Sequence, residues 1–153
     1  LILGSMPSRE SLAQQRYYAH PRNAFWPIMT GLLNLSGDDY DERVQQVTGR
    51  GIAIWDVLQA CFRESSLDSD IDDSSIVTND FQDFLERHPG IQGIFFNGAK
   101  AVSDYRRAVL PELGAGPASI RLRRLPSTSP AHASMSLEQK ISAWRVILDC
   151  GLK

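Results

Sequence analysis

The stretch Ile91-Gln92-Gly93-Ile94-Phe95-Phe96-Asn97-Gly98 decides how the chain is built. Its apolar run, Ile91 to Phe96, closed by an Asn-Gly turn, reads as a buried strand. A helix from Ala99 to about Leu110 follows, with Val102, Tyr105 and Val109 turned inward. Ser119 to Leu125 then reads as a further strand. Strands alternating with helices predict an α/β fold with a mainly parallel sheet covered on both faces.

Working toward the C-terminus, Leu125 to His132 forms a loop directly after that strand. Ser136 and Gln139 make a capping-box pattern that opens a last helix, with Leu137, Ile141, Trp144 and Leu148 inward. Toward the N-terminus, Asn79 is predicted to cap a helix carrying Phe81, Phe84, Leu85 and His88 on one face. Arg63 to Ser75, rich in Ser and Asp, reads as a loop, and Ile52 to Leu58 as a strand. Tyr40 to Thr48 is a weaker helix. Asn23 is predicted to cap a helix with Phe25, Trp26, Ile28, Met29 and Leu32, in whose first turn Pro27 costs little. Leu1 to Leu3 is a strand running into the turn Gly4-Ser5-Met6-Pro7-Ser8, with a loop from there to Asn23.

The expected architecture is a three-layer α/β/α sandwich around a central, mainly parallel four-stranded sheet, with residues 1–153 as a single domain and no internal repeat. In such sheets ligands bind beyond the carboxyl ends of the strands. That rule brings Gly4–Ser8, Trp55–Leu58, Asn97–Gly98 and Leu125–His132 to one rim.

Bulk properties narrow the function. The chain has 153 residues, 42% apolar and 22% charged, with a formal net charge of −2. This is globular rather than disordered, and any nucleic-acid face must be local rather than spread over a basic surface. No apolar run approaches the roughly 20 residues of a membrane helix, no signal-peptide pattern appears, and no membrane partner is expected. The chain opens at Leu1 inside an apolar run, which suggests that a short leading segment precedes it. The two cysteines, Cys61 and Cys150, fit a reducing cytoplasm. Together with three histidines they lack metal-ligand spacing. No Walker or dinucleotide loop is present, so neither a metal nor a cofactor is expected.

Three segments carry chemistry: Gly4-Ser5-Met6-Pro7-Ser8, Tyr18-Ala19-His20-Pro21-Arg22-Asn23-Ala24-Phe25-Trp26, and Leu125-Pro126-Ser127-Thr128-Ser129-Pro130-Ala131-His132. The combination resembles the uracil-DNA glycosylase superfamily, nearest its hypoxanthine-DNA glycosylase and mismatch-specific uracil/thymine-DNA glycosylase branches. In the mismatch enzymes a Gly-x-Asn-Pro-Gly loop follows strand one, and an aromatic–Ala–His–Pro–x–Asn–x–Phe–Trp segment comes shortly after. Gly51 to Leu58, Asn97-Gly98-Ala99-Lys100 and Leu125 to Ser129 resemble the later family segments in order. One departure matters: Met6 stands where the family usually has a water-activating Asp or Asn. That variant points to the hypoxanthine branch, where the Asn of His-Pro-x-Asn is implicated in catalysis. Ser8 replaces the Tyr by which uracil-only enzymes exclude a thymine methyl, which implies a more permissive pocket.

The resemblance implies a monofunctional DNA glycosylase that hydrolyses the N-glycosidic bond of a deaminated base, hypoxanthine first, and leaves an abasic site. No lysine stands in these motifs for a Schiff base. The partner implied is double-stranded DNA holding a damaged or mismatched base, bound by a monomer. Tyr18 would be the stacking platform for the flipped base; ordinary core packing is the alternative. Asn23 would orient the attacking water with its side-chain carbonyl, or simply cap its helix. Ser5 and Met6 offer backbone groups to the base or water. Asp56 and Asn97 are base-binding candidates, with turn or capping roles as alternatives. Arg22, Ser127, Thr128, Ser129 and His132 are candidate DNA contacts, with His132 as a tentative groove-filling residue. His20 is expected to brace the first loop, and Arg121, Arg123 and Arg124 to be a solvated strand face. Besides a mismatch uracil/thymine glycosylase, a non-catalytic nucleic-acid or base-binding member of the same fold and an unrelated nucleoside hydrolase remain open.

Overall fold

The strand that opens the chain, β1 (Ile2–Gly4), is buried on both faces and lies in the middle of the sheet. In a computed structural model, which describes residues 1–113 and 120–151, it pairs in parallel with β2 (Ile54–Asp56) on one side and β5 (Gly93–Asn97) on the other. β5 in turn pairs in parallel with the edge strand β6 (Arg121–Leu125). The four-stranded order is therefore β2-β1-β5-β6. Side chains alternate between the faces, as a two-residue repeat requires. Ile2, Ile54 and Phe95 join a core with helices α2 (Phe25–Leu33), α3 (Tyr40–Gly49) and α6 (Leu137–Trp144). Leu3, Trp55, Ile94 and Phe96 face the opposite core, closed by α4 (Phe81–Arg87) and α5 (Ala99–Asp104), the latter continuing as a π turn, Tyr105–Val109. The molecule is the expected α/β/α sandwich.

Several details differ from the sequence reading. The strand expected over Ile52–Leu58 is broken at Val57, whose N–H donates to Gly4 O, while Leu58 N–H donates to Ser5 O. The chain then enters a small antiparallel pair, β3 (Leu58–Ala60) with β4 (Val77–Thr78). The segment after Gly4–Ser8 is not all loop: Ser8 caps α1 (Arg9–Gln14), its hydroxyl accepting from Ser11 N–H, and Gln15 ends the helix in a left-handed conformation. α2 is capped at Ala24 rather than Asn23, although Asn23 Oδ1 still accepts from Phe25 N–H at 2.9 Å. Asp80, not Asn79, caps α4, its carboxylate accepting from Asp83 N–H, while Asn79 Nδ2 donates to Asp56 O at 2.9 Å. The Ser136–Gln139 capping box forms as expected. Leu137 is exposed, however, and Ile147, on the 3-10 turn that follows α6, is the fully buried residue there. Ser119, placed in the last strand by sequence, lies outside the described residues. The other three polar positions of β6, Arg121, Arg123 and Arg124, are exposed, as befits an edge strand.

Candidate active site

Gly4 ends β1 where the strand reaches the carboxyl rim, and its lack of a side chain is required. A Cβ there would lie within 2.4 Å of Asp56 Oδ1 and 3.3 Å of Tyr18 Oη. Beside it opens a cavity of about 320 Å³, at the small end of the 300–1,000 Å³ usual for ligand sites. It is lined by the Gly4–Ser8 turn, by Tyr18 and Asn23, by Asp56 and Asn97, and by Ser127–Ser129 with Ala131 and His132. Three segments far apart in sequence thus meet at the carboxyl ends of the strands. A second hollow, of about 550 Å³, lies at the opposite strand ends around Leu1, Gly51 and Gly93, away from the rim where ligands bind in such sheets.

Tyr18 is held in a strained position. Its φ of 57° is left-handed, which is costly for a bulky residue. One face of its ring stacks on Phe25 at 3.9 Å between centroids and 19° between planes. Its hydroxyl is buried with no hydrogen-bond partner in acceptable geometry, although the Asn97 amide is a polar neighbour. Burial and the nearby Asp56 charge raise the phenol well above its ordinary range. Asn23 stands at the mouth of α2, in a turn closed by its N–H to His20 O at 2.8 Å. His20 Nδ1 accepts from Arg22 N–H at 3.1 Å, so His20 braces this turn rather than the first loop. Arg22 itself is exposed and outside the cavity lining.

The late loop is tied down at both ends. Asn97 Oδ1 accepts from Thr128 N–H at 2.9 Å, and its Nδ2 donates to Thr128 Oγ1 at 2.8 Å. Asn97 and Thr128 are both buried. Asn97 therefore acts on the loop's position, and Ser127 and Ser129 are left as the more accessible hydroxyls. From α6, Trp144 Nε1 donates to Pro126 O at 3.0 Å and Lys140 Nζ donates to His132 O at 2.8 Å. Thr128 O accepts from Ala24 N–H at 2.9 Å, which joins this loop to the Asn23 turn.

The facing wall contains residues the sequence reading passed over. Arg63–Ser75, expected as a featureless loop, is a built element with 3-10 turns at Asp68–Asp70 and Asp73–Ser75. Ile71 is buried, Arg63 bridges to it, and the Arg63 guanidinium donates to Pro7 O. Asp73 pairs with Lys100 and Arg107, each at 2.5 Å, which clamps the segment to α5. The result is that Ser66–Ser69 line the cavity, and Ser5 Oγ donates to Asp68 Oδ1 at 2.5 Å. The signal in the sequence was Leu67 and Ile71 inside a polar run, too short a pattern to distinguish from solvent loop.

Asp56 is buried, and its carboxyl finds no hydrogen-bond partner among the described residues. Desolvation, then the negative charge of Asp68, pushes it up to about 7, with Arg63 opposing. Asp68 is also raised by burial, an effect offset by the Ser5 hydrogen bond and by Arg63. Among the described residues no lysine lines the cavity. Among the described residues no group of three His, Cys, Asp or Glu could hold a metal ion, and no helix is long and apolar enough to cross a membrane.

Comparison with known proteins identifies the family and the fold. The profile of the uracil DNA glycosylase superfamily matches residues 1–148. A hypoxanthine DNA glycosylase of Methanosarcina acetivorans is 36% identical over 149 residues, covering 96% of this chain and 88% of that protein. One from Methanosarcina barkeri is 34% identical over 103 residues, covering 66% of this chain and 64% of that protein. The solution NMR structure of a Methanosarcina acetivorans protein described as a uracil DNA glycosylase superposes with a TM-score of 0.73 at 34% identity, covering 96% of this chain and 89% of that one.

Proposed function

The chain belongs to the uracil DNA glycosylase superfamily, and within it we propose a monofunctional DNA glycosylase that releases a deaminated base, hypoxanthine first, and leaves an abasic site. The observation that carries this reading is that Tyr18, Asn23 and Ser127–Ser129 share one base-sized cavity beside Gly4. The names of the two Methanosarcina relatives support the choice of hypoxanthine.

The target nucleotide must leave the duplex, at a cost of a few kcal/mol. Stacking on the Tyr18 ring returns roughly 1–3 kcal/mol. Phe25 supports one face of that ring, which leaves the other for the base and spares the entropy of ordering it on binding. Ser127 and Ser129 are suited to phosphates flanking the lesion, with Arg22 on the outer surface of the same side.

Cleavage passes through a sugar cation. Water attacks C1′, the bond from C1′ to the base breaks, and the electron pair leaves with the base. Asn23 Oδ1 already accepts from Phe25 N–H, and its second lone pair is available to a water. The gain comes from orientation and electrostatics, since an amide is no base. Met6 adds only backbone groups, and the Ser5 carbonyl is engaged by Leu58 N–H. The absence of lysine among the described residues that line the cavity supports hydrolysis without strand cleavage.

The test is a single-turnover release assay on duplexes carrying hypoxanthine, uracil or a thymine mismatch. Hypoxanthine release that leaves an alkali-labile site supports the proposal. Preference for uracil or thymine moves the chain to the mismatch branch. Duplex binding without release of any base favours a non-catalytic member, the reading that Met6 supports, and activity on free deoxyinosine alone favours a nucleoside hydrolase.

A further inference from the structure

The walls of the cavity differ in kind. Asn23 and the Ser127–Ser129 loop are joined through Ala24 N–H to Thr128 O, and this side suits sugar and phosphate. The late loop follows β6 at one edge of the sheet, and toward the other edge stand Asp56, at the end of β2, and Asp68 of the 63–75 segment, bonded to Ser5 after β1. A base whose sugar is held at the first wall presents its far edge to these two carboxyls. The geometry points to Asp68, oriented by the Ser5 hydroxyl, as a specificity-determining residue that accepts the ring N–H of the flipped base, with Asp56 donating to the adjacent ring carbonyl. This inference rests on the glycosylase reading above and identifies the base edge that the site reads.

Two observations carry it independently. Asp68 is fixed rather than free: its Oδ1 takes the Ser5 hydrogen bond at 2.5 Å, and the segment bearing it is held by Arg63 to Pro7 O and by Asp73 to Lys100 and Arg107. Asp56 is 5% exposed, lines the cavity, and makes no side-chain hydrogen bond among the described residues. Its carboxyl opens on the cavity, where a bound base can supply the partner that burial makes valuable. Burial raises both carboxyls, Asp56 up to about 7, while the Ser5 hydroxyl and Arg63 oppose the rise at Asp68. Asp68, which already accepts from Ser5, is the acceptor of the pair, and Asp56, as the neutral acid, is the donor.

An acceptor beside a donor complements a lactam. Hypoxanthine offers N1–H next to the C6 carbonyl, and uracil offers N3–H next to the C4 carbonyl. Adenine and cytosine carry the reverse pattern, a bare ring nitrogen beside an amino group. Reading this edge therefore separates both deaminated bases from their parents with one pair of residues.

The experiment measures single-turnover release of hypoxanthine and of 1-methylhypoxanthine, which lacks the N1–H, by wild type, Asp68→Asn and Asp68→Ala. Wild type should release hypoxanthine about 100-fold or more faster than the methylated base. Asp68→Asn, isosteric and able to keep the Ser5 contact, should slow hypoxanthine release on the order of 100-fold. Asp68→Ala should bring the ratio between the two bases down to roughly 10 or less, because the acceptor is lost and space is gained. A merely structural Asp68 would slow both bases together and leave their ratio unchanged, which overturns the inference. Wild-type rates equal on both bases, or full hypoxanthine activity in Asp68→Asn, overturn it as well, with the glycosylase reading intact. A wild type that releases neither base overturns both.

Discussion

Asn97 grips Thr128 by both ends of its amide, Oδ1 to the backbone N–H at 2.9 Å and Nδ2 to Oγ1 at 2.8 Å, across the gap between β5 and the late loop. Both residues are buried, so neither bond can be replaced cheaply by water. Asn97→Ala leaves the Thr128 groups without partners and should cost about 2–4 kcal/mol of stability. It should also lower base release, because the loop that faces DNA loses its register. Denaturant melts and release rates on the same sample check this. A variant as stable as wild type would show that the amide grip matters little.

Asn23 has two proposed duties that substitutions can separate. Asn23→Ala removes the bond to Phe25 N–H and the water-orienting carbonyl, and should lose on the order of 10²–10³ in single-turnover rate and about 1 kcal/mol of stability. Asn23→Asp keeps an acceptor for both and should recover most of the stability and part of the rate. Full activity in Asn23→Ala would reduce Asn23 to a helix-mouth residue.

Asp56 should make the protein less stable as pH rises. Its carboxyl titrates near 3.9 when unfolded and at about 7 when folded. Between those values the native state binds the extra proton, so stability declines with increasing pH and the penalty is complete above about 7. Asp56→Asn should therefore match wild type near pH 4 and exceed it near pH 8 by at most about 4 kcal/mol. Unfolding free energies across that window decide the matter, and parallel curves for the two proteins would refute it.

Lys140 is a positioning residue at the far end of the late loop, where its ammonium donates to His132 O at 2.8 Å from a buried site. Lys140→Met keeps the apolar stem and removes the tether, at about 1.5–3 kcal/mol. If the loop's task is to hold DNA, KM for a lesion duplex should rise several-fold while kcat changes little. A fall in kcat with KM unchanged would contradict that division of labour.

The layers of the fold were legible because their signals are local. The apolar runs Leu1–Leu3 and Ile91–Phe96, the inward faces of the helices, and the Ser136–Gln139 box each announce themselves within a few residues. The cavity was partly legible: Asp56 and Asn97 line it because strand ends and the turns after them converge on one rim of a parallel sheet, and Tyr18 and Asn23 line it as the resemblance to the family's motif implied. The cap of α4 fell one residue later than expected, and Asn23 kept its bond to Phe25 N–H although α2 begins one residue later than a cap there would place it. Asn79 bonds Asp56 O, a contact 23 residues away that no local rule can see.

Sequence alone determined the α/β sandwich and the rim that carries the Gly4 turn and the late loop, since periodicity and turn chemistry are properties of neighbours along the chain; Tyr18 and Asn23 were assigned to the site by resemblance to the family's motif. Tertiary structure alone decided that Asp68 reaches Ser5 across 63 residues, that Asn97 serves Thr128, and that the Asp56 carboxyl is buried at the cavity with no hydrogen bond from the described residues. Those outcomes depend on which polar groups meet once solvent is excluded, and desolvation acts on groups brought together in space regardless of their order in the chain.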